Sequence, residues 1–356
     1  DRCVCACRWW ADVKFWSTGV SQPRDSFGIW ASAELGLSGA RIERELSGGN
    51  SNLTQLVVHD NGQLVMRSAP ANTISPKAHL GVQREAKFMS ALAGHAPVPD
   101  VLCWCNDEAV IGHPFALVEH VDGVSITEAL PASYDNVESM NSLGLQLASA
   151  LGEIARAPWE QLGLAELGRP DNFLQRQIER WVSVREQQAT RELPEIARLG
   201  SWLLDNIPAE GPVGIVHGDY HLDNTLCAHQ DARLMAVIDW EMATIGDPLS
   251  DLGLLLMFWG PRPVDPPGFA HVQAVSRREG VLPRRDLADA WSRASGIEPA
   301  KLNFYLCFAF WRLAAIVEGA YGLYLNGKVD TEYAKGLEHD VPALLQEAAL
   351  AAQGEW

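Results

Sequence analysis

Positive charge is what this sequence has least of: 28 Lys and Arg stand against 45 Asp and Glu, a formal net charge of −17 over 356 residues. That balance argues against a nucleic-acid partner, because a phosphate backbone is held chiefly by clustered Lys and Arg. It favours solubility and would suit a cationic substrate, without locating one. Long apolar runs are also missing, and no stretch reaches the roughly 18 uninterrupted apolar residues of a membrane span. The first residues lack a basic start followed by an apolar run, and they lack a cleavage pattern. Seven cysteines are an odd number scattered over a large chain, which fits reduced thiols rather than a disulfide framework. The expectation is a cytoplasmic protein with no membrane partner and no nucleic-acid partner. Repeats of fixed period and low-complexity tracts are absent, and the sequence says nothing of oligomeric state.

What is present is an ordinary globular composition, 47% hydrophobic, on a chain long enough for two lobes. Residues 1–35 differ from the rest, with Cys3, Cys5 and Cys7 at alternate positions and Trp9, Trp10, Trp16 and Trp30 close behind. Two readings stand: a thiolate metal site, although alternate spacing is not the paired spacing of zinc ligands, or a loosely ordered extension. From Arg41 onward RIEREL, LTQLVV and QLVMR read as a meander of antiparallel strands, with Asn61-Gly62 as the two central residues of a tight primed turn. Residues 78–93 carry Leu80, Met89 and Leu92 at helical spacing. VPDVLCWC and PFALVEHV are further strands, with Cys103 and Cys105 on one face of the first as packing residues.

Beyond Ile126 the periodicity is mostly helical, and the sheet pattern returns only at VGIVHGDY, TLCA and LMAVIDW. Sheet first and helices after is an α+β layout. The run LNFYLCFAFWRLAAIVEGAYGLYL reads as a core helix or, alternatively, a substrate wall.

The chemistry is concentrated in one stretch. Asp219 follows the apolar strand GIV through His217 and Gly218, and Asn224 lies five residues on, ahead of another short strand. A hairpin through HQDAR then leads to LMAVI and delivers Asp239 at a strand end. Phosphoryl transfer needs a carboxylate to accept a hydroxyl proton, and oxygen ligands for Mg2+. Two acids and an amide on adjacent segments supply that set.

HGDYHLDN, then IDWE, then GDPLSDL, in this order with strands between, resembles the aminoglycoside phosphotransferase and choline kinase family, relatives of the protein kinases. The resemblance runs from about residue 40 to 330. It implies a bilobal protein-kinase-like α+β fold with a small antiparallel-sheet N-lobe over 36–119, a hinge at 120–124 and a mostly helical C-lobe over 125–356. It implies ATP and Mg2+ as cofactors and a small-molecule hydroxyl as acceptor, with Asp219 as catalytic base and Asn224 and Asp239 as metal ligands. Asp251 would brace the catalytic loop through backbone hydrogen bonds. His217 would be a packing residue, His221 is undecided, and Asp223 reads as solvated.

In the first lobe the same resemblance makes Gly48, Gly49, Asn50, Ser51 and Asn52 the loop over the ATP phosphates, though the same residues also suit an ordinary hairpin. Glu85 matches the glutamate that pairs with the phosphate-binding lysine, or is a solvated helix charge. The third strand departs from the pattern, because VMRSAP puts Arg67 where that lysine is expected. A guanidinium can still contact phosphate and pair with a carboxylate, and Lys77 is the poorer alternative. The backbone of Glu119 to Val121 would bind adenine. LSGGNSNLT, the Arg67 strand and HVDG are similar to the phosphotransferase domains associated with acyl-CoA dehydrogenases. That similarity shifts the expected acceptor from aminoglycosides toward hydroxylated metabolites, including hydroxyacyl compounds. A kinase-like nucleotide-binding protein without turnover is the other reading, and Arg67 is its support.

Overall fold

The computed structural model describes residues 23–46, 52–69, 79–188, 191–209 and 211–356. The chain forms two compact units: Asp1–Gly94, Val98–Asp122 and Ile238–Met242 make the first, and His95–Pro97, Gly123–Val237 and Ala243–Trp356 the second. The sequence boundaries at 36, 120 and 125 contain neither the exchange at His95–Pro97 nor that at Ile238–Met242.

The first unit is built on an antiparallel sheet of five strands, β1 (Arg41–Glu45), β2 (Leu53–His59), β3 (Gly62–Ser68), β4 (Val101–Cys105) and β5 (Phe115–Glu119), in the order β1-β2-β3-β5-β4. Alternation along a strand assigns its faces. Val57, Met66, Leu117, Phe115, Cys103 and Cys105 belong to one buried cluster, so both cysteines are packing residues as expected. Helix α1 (Pro23–Leu35) supplies Phe27 and Ala31 to that cluster, and Trp30 stands edge-on to Phe115 at 5.2 Å. This corrects the reading of 1–35 as one extension, since its last third is a helix of the sheet's own core. Cys3, Cys5 and Cys7 lie outside the described residues, as do Gly48, Gly49, Asn50, Ser51 and Lys77.

Two local expectations need correction. In the β2–β3 hairpin His59 pairs with Gly62, so the corner is Asp60-Asn61, one residue earlier than expected. Neither corner residue has the positive φ of a primed turn. Asp60 is held from outside the hairpin: its N–H donates to Ser38 O at 2.9 Å, and its carboxylate lies over Gly39, where a Cβ would come within 2.2 Å of an oxygen. Helix α2 (His79–Leu92) turns Val82, Glu85, Ala86, Phe88, Met89 and Leu92 inward, but Leu80, one residue into the helix, remains 45% exposed. A short helix α3 (Glu108–Ile111), capped by Asp107, precedes β5.

In the second unit β6 (Gly214–Val216) pairs with β9 (Thr244–Gly246), and β7 (Thr225–Cys227) with β8 (Leu234–Val237), all antiparallel. Strand β9 was not anticipated, because three residues are too few to show alternation. Around these ribbons stand α4 (Val137–Arg156), α5 (Phe173–Gln187), α6 (Pro194–Asp205), α7 (Leu249–Phe258), α8 (Arg284–Ser295), α9 (Leu302–Leu325) and α10 (Glu332–Gln353). By length and composition α9 could cross a membrane, yet most of its side chains, including Phe304, Phe308, Phe310 and Trp311, are buried in the unit. It is the core helix that its apolar stripe suggested.

Candidate active site

Strand parity puts Arg67 and Thr54 on the α2 side of the sheet, and the pair lies directly across β2–β3. The Arg67 guanidinium grips Glu85 from two sides: Nε donates to Oε1 at 3.1 Å and Nη2 to Oε2 at 3.1 Å, while Nη1 donates to the Thr54 hydroxyl. Glu85 is 3% exposed, so the reading of a solvated helix charge is excluded. Burial works against the charge on each partner. Glu85 nevertheless lifts Arg67 above its ordinary range, and Arg67 opposes the upward push that burial gives Glu85.

The segment Ile238–Met242 completes this cluster within the first unit. Trp240 is fully buried and stacks on Phe88 of α2, ring centroids 6.4 Å apart and planes 16° from parallel. That anchor places Asp239 Oδ1 3.5 Å from Arg67 Nη2, with its side chain 36% exposed. Asp239 takes φ +64, left-handed backbone in which a non-glycine residue is uncommon and which gathers at functional sites. Asn52 donates to Glu241 Oε2 at 3.0 Å. Of the expected phosphate loop, Asn52 is thus beside this segment; its four preceding residues are outside the described ones. At the end of β5, the Glu119 N–H donates to Asp100 O and its carboxylate accepts from the Asp100 N–H. Val121 is half-buried, and its backbone makes no hydrogen bond among the described residues.

The loop after β6 is fixed through its main chain. The N–H groups of His217 and Gly218 donate to the two oxygens of Asp251 at 2.5 and 2.9 Å, and Arg312 of α9 donates to Gly218 O. Asp251 is therefore the brace that the sequence suggested, and burial pushes its carboxyl up to about 6 against those two bonds. Gly218 takes φ +90, which a Cβ would resist. His217 is fully buried, packs edge-on to Tyr220 and accepts a weak bond from the Asp219 N–H at 3.3 Å.

That loop brings Asp219 and Asn224 together. Asn224 Nδ2 donates to the Asp219 main-chain oxygen at 2.8 Å and to its Oδ2 at 2.9 Å. Committing the amide nitrogen in this way directs Oδ1, the oxygen that a hard cation prefers, to other partners. His221 Nε2 lies 3.5 Å from Asp219 Oδ1, and Nδ1 lies 3.7 Å from Asp223 Oδ1. Burial lowers the basicity of His221, but the two carboxylates push it up to about 9. For Asp219, burial raises the pKa, and His221, His217 and Asn224 outweigh it to hold the carboxyl at about 2. Asp223 is not solvated: its side chain is 20% exposed and Oδ1 is buried beside the imidazole.

Two residues of this loop's support escaped the sequence reading. The role of His221 between two acids follows from a tight turn, Leu222–Asn224, that spacing alone did not fix. Arg312 had a signal: a lone guanidinium inside the apolar run of α9 must find a partner. Among the described residues no group of three or more His, Cys, Asp or Glu side chains is arranged to hold a metal by itself.

Comparison with known proteins bears on the family and the fold. The rat protein "Acyl-CoA dehydrogenase family member 11" is 31% identical over 294 residues, covering 80% of this chain and 37% of that protein. Its human counterpart is 30% identical over 321 residues, covering 86% of this chain and 40% of the relative. The chain thus spans about two-fifths of the length of these curated relatives. A crystal structure from Ralstonia eutropha, assigned to the aminoglycoside phosphotransferases, superposes with TM-score 0.79 at 28% identity over 92% of this chain and 98% of its own. The GDP complex of aminoglycoside 2'-phosphotransferase-IIIa superposes at 0.60 with 15% identity, covering 91% and 97%, a likeness of fold. The fold is the protein-kinase-like one. Residues 43–295 match the model of the phosphotransferase enzyme family APH, and the chain belongs to that family.

Proposed function

We propose that this chain is a small-molecule kinase that moves the γ-phosphate of ATP to a hydroxyl group in a Mg2+-dependent reaction. The observation that carries the reading is the Asp219–Asn224 pair, an ionised carboxylate and an amide whose nitrogen is already committed, on a loop pinned by Asp251. The donor chemistry fits magnesium: Asn224 Oδ1 and the Asp239 carboxylate are hard oxygen ligands, and Mg2+ typically takes one or two carboxylates with phosphate and water completing its shell. When bound, Mg2+ would neutralise charge on the transferring phosphate.

Asp219 accepts the hydroxyl hydrogen and aims the oxygen. With its pKa at about 2 it is a weak base, so its main contribution is orientation, as suits a loose transition state in which the proton leaves late. Arg67 stands in the part of the usual lysine, oriented by Glu85 and Thr54 toward phosphate oxygens, and Val121 offers a free backbone N–H to adenine. The pairing of Arg67 with Glu85 weakens the reading of a protein without turnover, because the substitution keeps a cation on that glutamate. For the acceptor we favour a hydroxylated metabolite, with hydroxyacyl compounds ahead of aminoglycosides because the relatives carry the name of acyl-CoA dehydrogenases.

The test is ADP release from ATP and Mg2+ over a panel of hydroxy acids, their thioesters and aminoglycosides, beside Asp219→Asn. Acceptor-dependent release that vanishes in the variant supports the assignment. Release that persists in Asp219→Asn removes Asp219 from this role.

A further inference from the structure

The second unit contains a cavity of about 370 Å³ between α5, α6 and α9, within the size range of small-ligand pockets. Its walls are mainly apolar, with Val182, Leu193 and Ile196 among them; Glu186 and Glu192 are exposed members of its lining, and Arg185, Arg191 and Glu318 are its less exposed charges. Among these three, one carboxylate is set against two guanidiniums. Glu318, 4% exposed, is taken on both oxygens by Arg191, whose Nε donates to Oε1 at 3.1 Å and Nη2 to Oε2 at 2.7 Å. Arg191 also lies 4.1 Å over the Tyr321 ring.

Arg185 is left with the smaller share. It is 8% exposed, and among the described residues its Nη2 donates only to the neutral amide oxygen of Gln188 at 3.0 Å and its buried Nε has no hydrogen-bond partner. A guanidinium taken from water without a carboxylate of its own is costly, and burial indeed lowers its pKa. The side chain lies against Gly319, where a Cβ would be 3.2 Å from Nη2. Gly319 is on the same face of α9 as Arg312, seven residues or roughly 10 Å away along the helix axis. The cavity therefore adjoins the helix that holds Gly218.

We propose that this cavity is a binding site for an aliphatic anion, with Arg185 taking the carboxylate or phosphate and the apolar walls taking the chain. Arg191, already committed to Glu318, shapes the mouth. The site stands independently of the phosphotransfer reading, since no residue of the catalytic loop lines it.

Calorimetric titration of the whole chain with sodium octanoate, octyl phosphate, octan-1-ol and octylamine tests it. Octanoate or octyl phosphate should bind with a dissociation constant below about 1 mM, and whichever binds identifies the head group. Octan-1-ol should bind at least about tenfold more weakly, the worth of a charge-assisted bond. Arg185→Met should lose that preference, and Ala197→Trp, which fills the cavity from its exposed rim, should lose binding altogether. No binding of either anion, equal binding of octan-1-ol or octylamine, or an unchanged affinity in a folded Arg185→Met would overturn the proposal. If Arg185→Met does not fold, the ligand preference of the native protein and Ala197→Trp decide alone. ATP binding, followed in the same samples, reports separately on the phosphotransfer reading.

Discussion

The two polar centres of this protein are held in opposite ways. In the first unit, side chains hold side chains: Arg67 from a strand, Glu85 from a helix and Thr54 from the neighbouring strand form one buried knot. In the second, the main chain is what is held, with Asp251 and Arg312 fastening the peptide groups of His217 and Gly218 and leaving the Asp219 side chain half exposed. The first arrangement depends on each partner, because removing one strands a charge in a low-dielectric interior. The second fixes a backbone path while its reactive side chain remains open to solvent. Rigidity of the scaffold and availability of the carboxylate are thereby separated.

The largest expected effect tests the open side of this comparison. Asp219→Asn should lower kcat for any acceptor that turns over by about 10²- to 10⁴-fold in a protein that stays folded, its melting temperature falling only by the share of the His221 interaction that Asp219 supplies. A loss of activity accompanied by unfolding would mean that the loop depends on its side chains after all. Next comes the knot. Arg67→Met should destabilise by about 3–5 kcal/mol in urea unfolding, and the Arg67→Met/Glu85→Leu double variant should recover much of the loss. Additive costs would show that the pair is not coupled and would break the contrast.

His221 provides the pH test. Its folded value of about 9 lies above its ordinary 6.5, so the folded state holds the proton more tightly. The stabilisation is fully present below pH 6.5 and is lost as pH rises toward 9. At most about 3 kcal/mol is at stake, less once solvent screening at half-exposed Asp219 is allowed for. His221→Gln should flatten the decline in melting temperature over that interval, and an unchanged slope would assign it to other groups. Asn52→Ala, which removes a single bond to Glu241, should cost about 1.5 kcal/mol. Smallest of all, Leu80→Gln should change stability by less than about 0.5 kcal/mol, because this helical leucine is exposed; a larger loss would return it to the core.

How much was legible in the sequence follows the same division. HGDYHLDN carries its geometry locally: a glycine that must turn, a carboxylate and an amide five residues apart. Its meaning could be read without the fold. Arg67 and Glu85 are 18 residues apart on different elements, and whether they meet depends on strand parity and helix rotation, so the glutamate could equally be read as solvated. The Asp60-Asn61 corner was misplaced because Ser38 and Gly39, more than 20 positions upstream, decide it. Helix α1 was missed for a related reason: its apolar face makes sense only against the sheet surface of Met66 and Phe115, which is assembled from distant segments.

The sharing of residues 238–242 has a consequence for how the protein comes into being. The first unit's largest core side chain near α2, the indole of Trp240, is encoded more than a hundred positions after the last strand of its own sheet. While the chain is being synthesised, Phe88 must wait for this stacking partner until β6, β7 and β8 have all emerged. The early sheet cannot finish before the later unit has begun, and the order of synthesis makes the two maturations interdependent.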